Sequence, residues 1–149
     1  MADAAVLQAN TLTETVRGHA DAAPDTVAFT FGAEEITFAG LEEGARRVAA
    51  GLTSLGVQKG ERISYLGKNH PLYFEVLLGA AKIGAVMTPV NWRLAGPEVA
   101  YILGNCEARV VFVGEGFGDM LAKVRGDTPQ VETVIGIDAP DDAGIDYRT

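Results

Sequence analysis

Two hydrophobic periods alternate along this chain, one near 3.6 residues and one near 2. Leu12, Val16 and Ala20 fall at i, i+4 and i+8, which predicts a short helix ending before Pro24. TVAFTF (26–31) and EITF (35–38) flank a Gly-Ala-Glu stretch in which Gly32 can supply a positive φ, so a β-hairpin is predicted. Phe38, Leu41, Ala45, Val48, Leu52 and Leu55 are then spaced 3, 4, 3, 4, 3, the seam of an amphipathic helix. Glu42, Glu43, Arg46 and Arg47 take its other side. They read as a solvated face with two i,i+4 pairs of favourable polarity, and Gly56 stands where a left-handed cap is expected.

Beyond Gly56 strands and helices alternate. RISYL (62–66), AVMTPV (85–90), RVVFV (109–113) and TVIGI (133–137) read as strands. Between them lie a helix from about Asn69 to Ile83 and helices over 96–105 and 117–125. In the first, Asn69 is the expected N-cap and Pro71 lies near the first turn. It is apolar nearly all round, which predicts burial. This alternation predicts an α/β fold: a hairpin followed by βαβ units forming a mostly parallel sheet with packed helices.

Composition narrows the function classes. The chain has 149 residues, 48% hydrophobic and 21% charged, within the globular range. Its net charge of −8 comes from the two ends, with residues 61–137 nearly balanced. Residues 138–149 (DAPDDAGIDYRT) read as an acidic, poorly ordered tail, which leaves 1–137 as the folded part. No basic stripe suits nucleic acid. The most apolar stretch, 76–90, is interrupted by Lys82 and Pro89 and is too short for a span, and the amino end lacks the pattern of a signal peptide. A cytoplasmic location is expected. The single cysteine, Cys106, excludes an intramolecular disulfide and is expected to be a small buried hydrophobe.

Candidate chemistry is sparse. Gly114, Gly116 and Gly118 follow a strand and open a helix, the right context for a phosphate turn, but Asp119 stands where a third glycine belongs and would repel a pyrophosphate. A plain surface turn is the simpler reading. His19 and His70 have no Ser, Cys or acid at triad spacing, and each reads as a solvated or capping residue. There remains Asn91-Trp92-Arg93 at the carboxyl end of a predicted parallel strand, where open α/β sheets gather ligand contacts. Arg93 can hold a phosphate through its planar fork. Equally, Asn91 can cap a turn, Trp92 can pack, and Arg93 can pair with Glu98 or a carbonyl.

Taken in order, several segments resemble the amino-terminal region of the adenylate-forming (AMP-binding) superfamily, and most closely its acyl-CoA synthetases, the fatty-acid–CoA ligases. They are Gly60-Glu61-Arg62-Ile63 at a strand entry, Asn69 to Tyr73 at a helix start, Leu78 to Asn91 (LGAAKIGAVMTPVN), and Asn91 to Leu103 (NWRLAGPEVAYIL). ITFAGLEEGARRVAAGLTSLGV (36–57) adds the strand and helix upstream, although Gly40 replaces a usual acid. The resemblance covers about residues 12–137. It implies a carboxylate, such as a fatty acid, activated by ATP with Mg²⁺ to an acyl-adenylate and then transferred to coenzyme A. The Thr/Ser/Gly loop ending in Pro-Lys-Gly, the later nucleotide segments and the C-terminal domain with its lysine do not occur in these residues. The expectation is therefore an amino-terminal fragment, inactive alone, with no catalytic residue and no metal ligand of its own. Only one functional residue carries over: Arg93, which in some acyl-CoA ligases approaches the nucleotide phosphate of coenzyme A. Two other readings stand beside this one. One is a non-catalytic interaction or regulatory module derived from such a ligase, associating through exposed sheet edges; the other is an unrelated nucleotide-binding domain using Gly114 to Gly118.

Overall fold

The computed structural model describes residues 10–137 and 145–146. The chain forms two compact units. The first takes the chain up to Gly56 and again His70–Gly84; the second takes Val57–Asn69 and the chain from Ala85 onward.

The first unit contains α1 (Leu12–Ala22), the hairpin β1 (Val27–Phe31) and β2 (Glu34–Thr37), α2 (Phe38–Ser54) and α3 (Leu72–Ile83). Thr11 and Glu14 form a reciprocal capping box at the start of α1, and Thr37 caps α2 by accepting the Gly40 N–H at 3.1 Å. The hairpin is antiparallel, closing from Phe31 opposite Glu34 through Gly32 at φ +60°; Gly56, past the end of α2, has φ +76°. Both glycines do what their positions predict. Leu41, Ala45, Val48 and Leu52, members of the predicted seam, are buried.

Three details of this unit depart from the sequence expectation. Asn69 does not cap α3; the Leu72 N–H instead donates to Nδ1 of His70 at 3.2 Å, because the helix starts one residue after Pro71. Leu72, Val76, Leu78 and Ala80 of α3 are buried, but Phe74 remains 45% exposed, its ring tilted against Phe29 and perpendicular to Tyr73. Glu42 is not solvated. Its side chain is 7% exposed, and both carboxylate oxygens accept from Lys82 Nζ at 2.8 Å while one also accepts from Arg46 Nε at 3.1 Å. Lys82 sits in the last turn of α3, forty residues away, so no local pattern around Glu42 announces it. The neighbouring Glu43–Arg47 pair, 4.0 Å apart and about 60% exposed on both sides, is the solvated pair expected.

The second unit is a five-stranded sheet with α4 (Gly96–Cys106) and α5 (Gly118–Val124). Its strands are β3 (Arg62–Leu66), β4 (Val86–Val90), β5 (Val110–Val113), β6 (Thr133–Gly136) and the two-residue β7 (Ile145–Asp146), in the order β4-β3-β5-β6-β7. Every pairing is parallel, as the alternation requires. Ile63 to Leu66 and Val110 to Val113 are buried throughout, which is why these central strands are apolar apart from Ser64. Leu66, Val90, Val99, Leu103, Val113 and Leu121 form the core against α4 and α5. Cys106 is half-buried rather than buried, its Sγ 3.8 Å from the Ser64 hydroxyl and 3.6 Å from the Leu103 carbonyl. The tail expected over 138–149 lies outside the described residues, except that Ile145 and Asp146 pair with Ile135 and Gly136.

Ion pairs pin the amino edge of this sheet. Arg109 donates to Glu61 at 2.7 Å and to Glu132 at 2.6 Å, joining the starts of β3, β5 and β6, and Arg62 pairs with Glu107 while donating to the Cys106 carbonyl. The Gln58 N–H and then Arg109 hold the Glu61 carboxyl below the ordinary value of 4.5, and Arg109 does the same for Glu132. Carboxyls with depressed folded pKa values add stability above their unfolded pKa and lose it as pH falls through the folded one. Arg109→Gln is therefore expected to lower the urea midpoint at pH 7 and to lower it less at pH 3, below the unfolded carboxyl value. An equal deficit at both pH values would mean that packing, not charge, accounts for Arg109.

Candidate functional site

In the strand order β4-β3-β5-β6-β7 the chain steps outward from β3 to β4, returns past β3 to β5 and continues the other way. The reversal falls between β3 and β5, and open parallel sheets bind ligands beyond the carboxyl ends of the strands at such a point. Leu66, Val90 and Val113 stand in register at that edge, so the segments leaving β3, β4 and β5 emerge side by side.

Each segment is shaped by its own residues. After β3, Tyr65 donates its hydroxyl to the Lys68 carbonyl at 3.0 Å, which ties the turn Gly67-Lys68 beneath a buried ring. After β5, the Gly114 N–H donates to the Leu66 carbonyl at 2.9 Å. Gly67 and Gly114 meet here: a Cβ on Gly67 would lie 3.3 Å from the Gly114 Cα, and one on Gly114 would lie 3.2 Å from the Gly67 Cα. The two strand ends approach this closely because neither residue has a side chain. That contact accounts for Gly114, and Gly116 at φ +82° makes the turn that follows. With a seven-residue helix behind them and Asp119 in its first turn, these glycines form a surface turn, not a dinucleotide fingerprint.

After β4, the Asn91 side chain accepts the Arg93 N–H at 3.0 Å, an Asx turn that sends the chain towards α4. Trp92 is half-buried, with its ring edge-on to Phe117 at 6.3 Å between centroids. The Arg93 guanidinium lies over the Trp92 ring, its carbon 4.1 Å from the centroid, and Lys68 Nζ lies 5.5 Å from the same centroid. Both cations are exposed, and among the described residues neither forms an ion pair. Arg93 does not pair with Glu98, whose carboxylate instead accepts the Ala95 N–H at 2.9 Å. Asn91 caps and Trp92 packs, as one reading of the sequence had it, but among the described residues Arg93 has a ring partner and no ion pair.

Sequence reasoning singled out Arg93 and missed Lys68 and the Gly67–Gly114 contact. A glycine directly after each of two apolar parallel runs, Leu66-Gly67 and Val113-Gly114, was the available signal. Lys68 carried none, since only the return of the chain through β4 brings Trp92 beside it. Elsewhere in this unit a shallow groove of about 440 Å³, lined by Pro97, Ala100, Tyr101, Gly104, Asn105 and Asp127, holds one acid and no cation, so it does not match an anionic ligand. His19 stacks on Phe38. Among the described residues no group of three His, Cys, Asp or Glu side chains gathers to hold a metal, and no helix is long and apolar enough to cross a membrane.

Comparison with known proteins identifies the family of this fold. The family described as AMP-binding enzymes matches residues 16–147. The fatty acid–[acyl-carrier-protein] ligase ScoC of Streptomyces coeruleorubidus is 36% identical over 87% of this chain and 25% of its own length. The indoleacetate–CoA ligase of Aromatoleum aromaticum is 34% identical over 92% of this chain and 27% of its own. Among solved structures, a fatty acyl CoA synthetase of Mycobacterium tuberculosis superposes with a TM-score of 0.78 at 32% identity, over 88% of this chain and 29% of that one. The chain thus spans about a quarter of the curated relatives it matches. With the family matched over nearly its whole length and the same α/β arrangement in solved relatives, this chain belongs to the AMP-binding enzymes.

Proposed function

We propose that these residues are the amino-terminal part of an ATP-dependent acyl-CoA ligase, and that Arg93 holds a phosphate of coenzyme A at the carboxyl edge of the sheet. The observation that carries this reading is the Arg93 guanidinium itself. It is positioned by the Asn91 turn and the Trp92 ring, beside the topological switch, and among the described residues it forms no ion pair.

In the reaction so assigned, a carboxylate oxygen of a fatty or other organic acid attacks the α-phosphorus of ATP and pyrophosphate leaves. The thiol sulfur of coenzyme A, having lost its proton, then attacks the acyl carbonyl of the adenylate and AMP leaves. Mg²⁺ offsets phosphate charge in such transfers, and among the described residues no group of three His, Cys, Asp or Glu side chains gathers to hold it. The role of this chain is scaffolding together with one acceptor-substrate contact. ScoC, by its name, uses an acyl-carrier protein, so a carrier-protein acceptor is the competing assignment within the same chemistry.

Carboxylate-dependent ATP–pyrophosphate exchange is expected to be absent from the 149 residues alone, and measurable exchange would overturn the claim that they lack the adenylating loop. Arg93→Gln is expected to weaken coenzyme A binding about tenfold, the scale of one charge-assisted phosphate contact. Unchanged affinity would make Arg93 a structural residue only. The interaction-module reading is supported by the edge strand β4, where Val86 is 50% exposed, but Pro89 removes one donor from that edge and weakens it as a pairing template.

A further inference from the structure

We infer that the outer groove of α4 docks an arginine-bearing segment of a partner protein. Pro97, Ala100, Tyr101, Gly104 and Asn105 recur at three- or four-residue steps along α4, so they form one stripe of that helix. Asp127, in the turn that follows α5, completes the groove of about 440 Å³. Its floor is low. Ala100 is buried, and a Cβ placed on Gly104 would meet nothing within 4 Å. Tyr101 stands beside that floor with 71% of its surface exposed, a large aromatic side chain left in water on an otherwise small-residue face.

Charge decides what fits there. Among the described residues Asp127 forms no ion pair. Arg125, two residues before it, donates to the Val131 carbonyl, and Lys123 does not line the groove. The last turn of α4, which supplies Gly104 and Asn105, holds no basic residue, so no side chain of that turn offsets the partial negative charge of its carbonyls. A net charge of −8 adds a longer-range attraction for a basic partner and opposes a second copy of this chain. Arginine suits the lining better than lysine: its planar fork matches a carboxylate, and its flat face stacks on a tyrosine ring. A free small amine suits it less, because a groove this shallow cannot enclose most of a small ligand's surface. A side chain carried by a folded partner shares its binding with the surrounding surface.

The test is an NMR titration of the isotope-labelled 149-residue chain. The probe is a short capped peptide with one arginine between leucines, compared with the same peptide carrying citrulline, which keeps the shape and loses the charge. The arginine peptide is expected to shift the Tyr101, Gly104 and Asn105 resonances saturably, and the citrulline peptide to bind about tenfold more weakly. Asp127→Asn should bring the two peptides to equal affinity. Gly104→Leu should abolish binding of both by filling the open floor, with an unchanged far-UV circular dichroism spectrum, since no neighbour stands in its way. Equal affinity for the two peptides in the unsubstituted chain, shifts confined to other residues, or no saturable shift at all overturns the proposal. So does broadening of the groove resonances that sharpens on dilution without peptide, which would make the occupant a second copy.

Discussion

Gly79→Ala is expected to destabilise the chain by about 1–3 kcal/mol and Gly79→Val by about 3 kcal/mol or more, read as a fall in the urea midpoint by far-UV circular dichroism. A Cβ at Gly79 would stand 2.6 Å from Cβ and Cγ1 of Val48 and 2.9 Å from the Ala45 carbonyl oxygen. None of these is the loose end of a flexible side chain: Val48 is β-branched and stiff, and the carbonyl belongs to the α2 backbone. Helices α2 and α3 must separate to admit even a methyl group. Gly51 lies on the same α2 with nothing within 4 Å of its would-be Cβ. Gly51→Ala should therefore stabilise by about 0.5–1 kcal/mol, the ordinary gain of replacing a helical glycine. The opposite signs are the test. If Gly79→Ala stabilises as Gly51→Ala does, the two helices are not packed as closely as described.

The second large effect is expected at Glu42. Lys82→Met removes the cation that both Glu42 oxygens contact and leaves a carboxylate 7% exposed, with the exposed Arg46 beside it. A loss of about 3 kcal/mol is expected, because an uncompensated charge at a buried position cannot recover its hydration. The double variant Glu42→Leu with Lys82→Met should return to within about 1 kcal/mol of the unsubstituted chain, since removing both charges removes the desolvation problem. Arg47→Ala, which breaks the exposed Glu43–Arg47 pair and a 3.8 Å contact to Glu75, should cost less than about 1 kcal/mol. Equal losses for Lys82→Met and Arg47→Ala would place Glu42 in water after all.

The elements were legible because the forces that make them are local. The 3, 4, 3, 4, 3 spacing from Phe38 to Leu55 predicted α2, and its inner members became the buried face. RVVFV (109–113) predicted a strand, and Val110 to Val113 form it and are all buried. Turn glycines were readable for the same reason, since positive φ at Gly32 and Gly56 is a property of one residue and its neighbours. Capping was less so. Asn69 and His70 are both plausible caps in sequence, and the choice of His70 Nδ1 follows from where Pro71 lets the helix begin. Glu42 misled because helix periodicity assigns a face only against the contacts it can see, and Lys82 arrives from a later helix.

For the site, the amino-acid order by itself determined the parallel α/β class, the carboxyl-end position of Asn91-Trp92-Arg93, and the family likeness that singled out Arg93. Only the tertiary structure decided that Gly67 and Gly114 touch, that Lys68 and Arg93 share one indole, and that Glu98 is occupied by a helix-end N–H instead of pairing with Arg93. The reason is the length of chain between partners. Periodicity and turn chemistry act over a few residues, whereas Lys68 meets Trp92, and Gly67 meets Gly114, only because parallel strands carry their carboxyl ends to a common edge.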